Sequence, residues 1–177
     1  MPVPRSPAST LRRSTLAMLV FWLMAAALLY AVFEWFGMRE RARLQPYVSQ
    51  GGELVIPRSP DGHFYVSGEV NHQPARFLID TGASTVAISE QLAASAGLPR
   101  GNRITLGTAA GQRSGWLVHS VPVRAGPLIY NETSVTVGVQ MGAPENALLG
   151  QSFLRHFDLK IEADRMVLQS RGNPSPD

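Results

Sequence analysis

The longest uncharged run of the chain constrains its fold more than any other feature. It covers the twenty residues from Ser14 to Phe33 and reads STLAMLVFWLMAAALLYAVF. At a rise of about 1.5 Å per residue, such a helix spans about 30 Å, the thickness of a bilayer hydrocarbon core. A helix without a polar face does not suit the surface of a soluble domain. We therefore expect a transmembrane anchor at residues 14–36, preceded by an N-terminal stub at residues 1–13.

A cleaved secretory signal is the alternative interpretation of this run. A signal has a shorter apolar core and ends in a small-x-small cleavage site, whereas this run ends in the aromatic-rich segment from Tyr30 to Phe36. Aromatic residues at this position are typical of a membrane interface, so we favour an uncleaved anchor. The arginines on the two sides of the run are equal in number and do not decide its orientation. We expect the short stub in the cytoplasm and the rest of the chain exported.

Charge, cysteine and histidine content exclude several classes of function. The net charge is +3, and much of it flanks the apolar run, where arginines suit anionic lipid and imply no nucleic acid. The chain has no cysteine, which excludes disulfides and thiol-based metal sites. Its four histidines are scattered without ligand spacing, so we expect neither a metal nor another cofactor.

The rest of the chain reads as a linker, one small domain and a tail. Residues 37–60 are charged at first and then rich in Pro, Gly and Ser, with one short strand predicted at 53–56. Residues 61–170 alternate between strand-like runs and turns, and two short helices are predicted within them. Residues 171–177 form the tail. This pattern predicts a mostly β domain, a closed barrel or sandwich with one or two short helices.

Two short motifs carry the chemical information. The first, FLIDTGAS at residues 77–84, places the carboxylate of Asp80 at the end of an apolar strand and follows it with a tight turn. The second, ALLGQSFL at residues 147–154, is an apolar strand that ends in Gly150 and continues as a helix. Asp before Thr-Gly also occurs in ordinary turns, where the carboxylate caps its own loop, so the first motif alone leaves a structural role open.

Taken together, the two motifs resemble those of the retropepsin-like aspartic peptidases, and more narrowly those of the membrane-anchored bacterial members of that clan. The resemblance extends from about Gly62 to Leu168, most of the chain after the linker. It implies a retropepsin-like closed β-barrel and an aspartic endopeptidase with Asp80 as the catalytic residue. The implied substrates are proteins or peptides, including proteins of the same membrane. We accordingly expect a single-pass protein of the bacterial inner membrane, with its C-terminal domain in the periplasm.

One chain holds only half of the required chemistry. Peptide hydrolysis by this route needs two carboxylates that share one proton, because like charges about 3 Å apart cannot both ionise. The sequence contains one Asp-Thr-Gly and no Asp-Ser-Gly, and the domain is too short for a two-lobed, single-chain enzyme. We therefore predict a homodimer in which two copies of Asp80 face each other across a twofold axis.

The resemblance also assigns supporting roles around Asp80. Thr81 would hydrogen-bond across the dimer interface, and Gly82 would let backbone and substrate approach closely. Gly150 would pack behind the Asp80 loop. The other residues of the two motifs would support this loop or fill the core strand behind it: Ala83, Ser84, Leu148 and Leu149.

A flap that closes over bound peptide falls by position on residues 106–116, which read LGTAAGQRSGW. Small residues suit a mobile tip, and closure would exclude water from the two carboxylates. An ordinary surface hairpin is the alternative interpretation. The predicted flap residues are Gly107, Thr108, Ala109, Ala110 and Gly111.

Two positions depart from the retroviral members of the family. Those members carry an acidic residue and an arginine that pair with each other, where this chain has the neutral residues Ser84 and Gln151. The two changes are mutually consistent, because both members of the charged pair are replaced by neutral residues.

A different class of function also stays open: a membrane-tethered β module that binds peptides or partner proteins without catalysis. The cost of burying an ionisable group at a dimer axis argues against it.

Overall fold

The computed structural model describes residues 8–108 and 111–171, and these fall into two compact units. The first is one long α-helix, α1 (Ala8–Arg43), and the second is the folded unit from Leu44 onward. Within α1, Ala17–Arg39 has a mean hydropathy of 2.0 and is long enough to cross a bilayer. Its large apolar side chains are exposed. The expected N-terminal apolar helix is thus confirmed.

The folded unit is built mainly of β-strands. In the described residues there are eleven strands: Tyr47–Val48 (β1), Leu54–Pro57 (β2), Tyr65–Val70 (β3), Gln73–Ile79 (β4), Val86–Ile88 (β5), Asn102–Thr108 (β6), Gly111–Ala125 (β7), Leu128–Val137 (β8), Asn146–Leu149 (β9), Phe157–Ile161 (β10) and Arg165–Ser170 (β11). Two short helices interrupt the series: Glu90–Ser95 (α2) and Gln151–Leu154 (α3).

Six of the strands close into a barrel in the order β3-β4-β9-β5-β8-β7, because β7 pairs back onto β3. The remaining strand of this sheet, β6, lies outside the ring as the hairpin partner of β7. The two closing strands approach very closely at the seam. A Cβ at Gly68 would lie 1.9 Å from the carbonyl oxygen of Arg124, so closure at this point requires glycine.

The other four strands form a small antiparallel sheet in the order β1-β2-β11-β10. Most of its buried side chains belong to the same hydrophobic core as those of the barrel. The largest fully buried side chains come from both layers and include Phe77, Phe153, Leu54, Ile56, Met166 and Leu168. The mostly β fold, with a closed barrel and short helices, is therefore confirmed, and its two sheets share one hydrophobic core.

The segment predicted as a linker, residues 37–60, contains more structure than its composition indicates. Helix α1 continues to Arg43, and β1 and β2 follow it. The apolar residues 54–56 are buried because β2 pairs with β11 in the small sheet. The compact unit consequently begins at Leu44, whereas the sequence indicates a start near Asp61. Most of the Pro, Gly and Ser residues of this segment therefore lie in the turns around β2, and they do not form an unstructured linker.

A turn and a helix cap fix the chain on the two sides of the first motif. β3 and β4 form a hairpin around Asn71 and His72, whose φ angles of 45° and 66° match a two-residue type I′ turn. Asn and His are among the residues that tolerate this left-handed conformation, so the turn forms without glycine. After the motif, Ser89 caps α2 by accepting a hydrogen bond from the amide of Leu92 at 3.0 Å. The strand before the motif and the helix after it are thus both fixed.

Candidate active site

The two sequence motifs lie side by side in the barrel. β4 and β9 are parallel neighbours, with Ile79 opposite Leu149. The amide of Asp80 donates a hydrogen bond to the carbonyl of Leu149 at 3.1 Å. Because both strands run in the same direction, the residues that follow them, Asp80 and Gly150, emerge at the same edge of the sheet.

Asp80 is half-buried at the start of a tight turn. Its Oδ1 accepts a hydrogen bond from the amide of Gly82 at 2.9 Å, and its carbonyl accepts one from the amide of Ala83 at 3.3 Å. Within the described residues, Oδ2 has no hydrogen-bond partner and the carboxylate has no ion-pair partner. The backbone therefore orients one carboxylate oxygen and leaves the other available to a water or a ligand.

The two residues after Asp80, Thr81 and Gly82, are exposed. The carbonyl of Thr81 accepts a hydrogen bond from the side-chain amide of Gln151 at 3.0 Å. The Thr81 hydroxyl makes no hydrogen bond to any other described residue. The turn therefore presents a hydroxyl beside the carboxylate, on a backbone that is itself held in place.

Gly150 packs directly against the Asp80 loop. A Cβ at this position would lie 2.3 Å from the carbonyl oxygen of Thr85 and 2.7 Å from that of Ala83. The φ of Gly150 is −102°, which any residue can adopt, so the requirement for glycine is steric. In the strand before it, Leu149 is fully buried and Leu148 is half-buried. The second motif thus provides the surface on which the first one rests.

The start of α3 holds the Asp80 loop by its backbone. The amides of Gln151 and Ser152 donate to the carbonyls of Ala83 and Ser84 at 2.8 and 3.0 Å. Ser84 uses its backbone for this contact, and its side chain is exposed. Where the retroviral pattern has a charged pair, this chain has the neutral residues Ser84 and Gln151. The two segments are joined instead by these main-chain hydrogen bonds and by the hydrogen bond from the Gln151 side chain to the Thr81 carbonyl.

Two further contacts support the loop and lie outside what the motifs indicate. The buried Ser152 hydroxyl accepts a hydrogen bond from the amide of Val86 at 2.9 Å and donates one to the carbonyl of Ser134 at 2.7 Å. The hydroxyls of Thr85 and Thr136 lie 2.8 Å apart. Both contacts connect the region after Asp80 to β8. The one sequence signal for them is Ser152, a hydroxyl within a mostly apolar motif.

The segment predicted as a flap forms a β-hairpin. β6 pairs along its length with the first half of β7, from Asn102 opposite Leu117 to Thr108 opposite Gly111. The predicted tip residues Ala109 and Ala110 lie outside the described residues. Gly107 is exposed, with open space where a Cβ would be. A hairpin is expected of a flap and of an ordinary surface hairpin alike, so the role of this segment as a flap stays a prediction.

A second glycine of this hairpin has a packing role. A Cβ at Gly115 would lie 2.5 Å from the carbonyl oxygen of Val137 and 2.7 Å from Cδ1 of Leu106. Gly115 is buried where β7 crosses β8. This glycine therefore anchors the base of the hairpin and does not contribute to the flexibility of its tip.

A cleft of about 510 Å³ opens beside the strand that carries Asp80. Its walls include Tyr65, Arg76 and Leu78, and the last two alternate with buried core residues along β4. The Arg76 guanidinium lies over the Tyr65 ring at 4.7 Å from its centroid. Leu78 comes two residues before Asp80, about 7 Å along an extended strand, so one wall of the cleft is near the carboxylate.

The outer wall of this cleft carries an acidic residue, Asp61. The hydroxyl of Tyr65 donates to Asp61 Oδ2 at 2.7 Å, and the amide of His63 donates to Oδ1 at 3.0 Å. These two hydrogen bonds, with that of Tyr65 the stronger, lower the pKa of the Asp61 carboxyl. In the described part of the chain, no group of three or more His, Asp or Glu side chains could hold a metal ion.

A family model described as "gag-polyprotein putative aspartyl protease" matches residues 66–156, about half of the chain. This range contains both motifs. Among solved structures, the crystal structure of a retropepsin-like aspartic protease from Rickettsia conorii is similar, with a TM-score of 0.56 and 30% sequence identity. The similarity covers 66% of this chain and 89% of that chain.

Two curated proteins are also similar in sequence. The uncharacterized protein RP867 of Rickettsia prowazekii is 33% identical over 131 residues, covering 66% of this chain and 51% of its own. An uncharacterized protein in the cobV 5′ region of Sinorhizobium sp is 30% identical over 121 residues, covering 66% of this chain and 52% of its own. The chain therefore spans about half the length of the curated relatives it matches.

Proposed function

Because the chain belongs to the retropepsin-like aspartyl protease family, we propose that it is a membrane-anchored, homodimeric aspartic endopeptidase. Its active site would contain two copies of Asp80, one from each subunit, and its substrates would be proteins or peptides. The observation that carries the proposal is the state of Asp80. It is a half-buried carboxylate at a strand end, with one oxygen oriented by the Gly82 amide and the other without a partner in the described residues.

A second copy would complete the site. Two Asp80 carboxylates about 3 Å apart would hold one proton between them, since both cannot ionise at that distance. The exposure of Thr81 and Gly82 supports this arrangement, because the tip of the turn is uncovered in the single chain. The Thr81 hydroxyl would then hydrogen-bond to the loop of the second copy and hold the two carboxylates in register.

The reaction would use the shared proton. The ionised carboxylate would take a proton from a water held between the two Asp80 side chains, and the water oxygen would attack the carbonyl carbon of the scissile bond. The protonated carboxyl would donate its proton to the carbonyl oxygen. As the C–N bond of the resulting diol breaks, the amine nitrogen would accept a proton from the dyad and a diol hydroxyl would return one. The dyad would thus recover its single proton.

The β6–β7 hairpin would serve as the flap over the bound peptide. The open space around Gly107 supports movement near the tip, while Gly115 is packed at the base. Closure would remove bulk water from the two carboxylates and strengthen their interaction with the developing charge. The cleft lined by Leu78, Arg76 and Tyr65 would accept substrate side chains beside the scissile bond.

Helix α1 would tether the peptidase to the bacterial inner membrane, with the folded unit in the periplasm. The span Ala17–Arg39 has the length and hydropathy of a membrane helix, and a signal sequence would share these properties. Retention of the full-length chain, carrying a C-terminal tag, in membranes washed with alkaline carbonate is the expected result. A soluble product shortened at its N-terminus would contradict the anchor without contradicting the peptidase.

Asp80→Asn is the central test of catalysis. Asparagine keeps an Oδ1 that can accept the Gly82 amide, so the loop should keep its conformation while the shared proton chemistry is lost. Asp164→Asn makes the same chemical change at an exposed residue of the β10–β11 turn and serves as the matched control. The full chain, reconstituted in proteoliposomes, is incubated with an unfolded protein and a peptide library over about pH 4 to 7.

Cleavage by the wild type and by Asp164→Asn, with loss of about 10³-fold or more in Asp80→Asn, is the expected result. Equal behaviour of all three proteins, at a concentration where dimers are present, would reject the peptidase. The second candidate, a tethered β module that binds peptides without cutting them, would then account for the site. The contact between Asp80 and the Gly82 amide fits that candidate as well, because a turn aspartate makes the same bond.

A further inference from the structure

The cleft beside β4 carries a positive charge that the single chain does not neutralise. Arg76 is exposed and lines this cleft. Its guanidinium has no ion-pair partner within the described residues, whereas that of Arg124, also on the outer surface of the barrel, pairs with Glu69. A guanidinium without a partner in the wall of a cleft favours an anionic ligand, because it offers several donors to a carboxylate.

The Arg76 side chain leans along β4 toward Asp80. Its backbone lies opposite Ser67 of β3, but its guanidinium lies 4.7 Å from the centroid of the Tyr65 ring. Tyr65 is itself opposite Leu78, which is two residues closer to Asp80. The charge is therefore at about the level of Leu78, roughly 7 Å along the strand from the candidate catalytic residue.

The Tyr65 ring holds the guanidinium in this position. A cation over an aromatic face is attracted to the ring, and an arginine that is already placed loses less side-chain freedom when it binds a carboxylate. The ring is held at its other end, because the Tyr65 hydroxyl donates to Asp61 Oδ2 at 2.7 Å. The cleft thus presents an oriented cation and not a freely moving side chain.

The acidic residue of the cleft, Asp61, is engaged by its own surroundings. Its Oδ2 accepts the Tyr65 hydroxyl, its Oδ1 accepts the amide of His63 at 3.0 Å, and the His63 Nδ1 atom lies 3.6 Å from Oδ1. Among the described residues, Asp61 and Arg76 form no ion pair with each other. The donors of Arg76 consequently remain available to a ligand.

The rest of the cleft wall suits a peptide. Leu78 lies between Arg76 and Asp80 along β4, and Met141 adds to the apolar surface. Asn146, opposite Arg76 on β9, donates its side-chain amide to the Met141 carbonyl at 2.8 Å and holds this part of the wall. An apolar surface that ends in a cation fits a peptide with an apolar side chain followed by an acidic one.

We propose that Arg76 is a specificity-determining residue, which selects substrates with an aspartate or glutamate about two or three residues from the scissile bond. The inference rests on the proposed peptidase and names the class of its substrates. In an extended peptide, side chains on one side repeat about every 7 Å, the distance from Asp80 to the level of Leu78. The twofold axis of the proposed dimer would place one such cleft on each side of the scissile bond, so the selection would act on both sides.

Charge reversal at Arg76 tests the selection in the full chain, held in detergent micelles. The wild type and Arg76→Glu are incubated with a peptide library, and the cut positions are read by mass spectrometry. The wild type should enrich Asp and Glu over Asn and Gln about fivefold at one of these positions. Arg76→Glu should enrich Lys and Arg at the same position, an inversion that a merely structural role of Arg76 would not produce. An unchanged profile in Arg76→Glu would overturn the proposal.

Two neutral variants separate the cleft from the overall charge of the protein. Arg76→Gln should lose the preference for acidic peptides and still cut peptides with Gln at that position as fast as the wild type does. Arg124→Gln is the matched control, since Arg124 lies opposite Glu69, which pairs with Pro74, six residues before Asp80 and about 20 Å away along β4. It should keep the preference. An equal loss in both variants would show that the preference follows net charge, which overturns the assignment to Arg76.

Retention of library peptides on the immobilised full chain separates this inference from the function on which it rests. If the wild type cleaves and Asp80→Asn does not, but acidic peptides are neither preferred nor retained, the role of Arg76 is wrong and the peptidase stands. If no peptide is cut, while the wild type retains acidic peptides and Arg76→Glu does not, the selective cleft stands and the peptidase fails. A wild type that neither cuts nor retains acidic peptides overturns both.

Discussion

The barrel and the small sheet differ in whether their outer strands pair with each other. In the barrel, β7 returns to β3 and closes the ring, and β6 projects from it as the partner of β7. Within the part of the chain that the structure describes, the small sheet stays open, with β1 at one end and β10 at the other. Closure makes the barrel complete within one chain, whereas an open sheet can accept a strand from elsewhere.

The same contrast applies to the candidate active site, for which one chain provides the braced Asp80 loop but only one of the two carboxylates. The barrel and α3 brace the Asp80 loop from several sides through hydrogen bonds and close packing within one chain. The proposed chemistry nevertheless needs a second carboxylate. The two layers share one hydrophobic core, so the contrast concerns their edges and not their stability.

The largest expected effects come from removing a core side chain from each layer. Phe77 lies in the barrel and Leu168 in the small sheet, and both are fully buried. Phe77→Ala should lower the free energy of unfolding by about 3–5 kcal/mol and Leu168→Ala by about 2–5 kcal/mol. Because the core is shared, each variant should still unfold in one transition, monitored by circular dichroism in urea.

Unfolding of the small sheet separately from the barrel would contradict the prediction that the two layers share one cooperative core. Leu168→Ala would then show two transitions, with the barrel signal retained after the first. Ile129→Ala removes a large apolar side chain that is 57% exposed and serves as the control for both variants, with an expected change below about 1 kcal/mol.

The next effect concerns the contact between the two motifs. Gly150→Ala would place a Cβ 2.3 Å from the carbonyl oxygen of Thr85, so the loop or the strand must move, at an expected cost of about 2–3 kcal/mol. The same change at Gly107 meets open space and should leave thermal unfolding nearly unchanged. If the proposed site is correct, Gly150→Ala also lowers cleavage, because it displaces the Asp80 loop. Equal unfolding temperatures for the two variants would mean that the close approach at Gly150 is not essential.

The fold could be predicted from the sequence where its signals are local. The apolar run, the hairpin around Asn71 and His72, and the cap at Ser89 each depend on neighbouring residues, and the structure has all three. Closure of the barrel depends on β3 meeting β7 at Gly68, a contact between distant segments that composition does not reveal. The strand predicted at 53–56 is present as β2, but its place in the domain core was obscured for the same reason, since β2 is buried by pairing with β11.

The candidate site shows the same division. The motifs and their resemblance to a family predict Asp80 and Gly150, and the structure brings these two residues together at one edge of the sheet. Their catalytic and supporting roles stay predictions. The motifs do not predict the Ser152 and Thr136 contacts, because the hydrogen-bond partner of a hydroxyl depends on the fold. Here the partners lie on β8, which is distant in the sequence from Thr85 and from Val86.

Loss of the Ser152 hydroxyl tests whether β8 braces the loop. Ser152→Ala leaves the amide of Val86 and the carbonyl of Ser134 without this partner, and should lower the free energy of unfolding by about 1–2 kcal/mol. Ser67→Ala, at an exposed position of β3, is the matched control with almost no expected effect. Should the two variants unfold at the same urea concentration, a water or a rearranged backbone has replaced the hydroxyl and the brace is weaker than the geometry indicates.

The smallest expected effect lies at the connection between the small sheet and the barrel, where Asp61 precedes β3. Hydrogen bonds from the Tyr65 hydroxyl and the His63 amide lower the pKa of Asp61 in the folded state below its ordinary value of 3.8. A carboxyl with a depressed folded pKa stabilises the fold above its unfolded pKa, and this contribution disappears as the pH falls through the folded pKa. Asp61→Asn should therefore be slightly less stable than the wild type near neutral pH, and the difference should shrink below about pH 4.

Tyr65→Phe separates the two hydrogen bonds at Asp61. It removes the stronger donor, keeps the ring beneath Arg76, and should abolish most of the pH-dependent difference between aspartate and asparagine at position 61. The measurement is urea unfolding of four proteins, the wild type, each single variant and the double variant, at neutral pH and in acid. A coupling that is equal at both pH values would show that the Tyr65 hydroxyl does not act through the ionised carboxylate. A coupling lost in acid would show that this connection between the two layers weakens in the pH range where aspartic dyads commonly work.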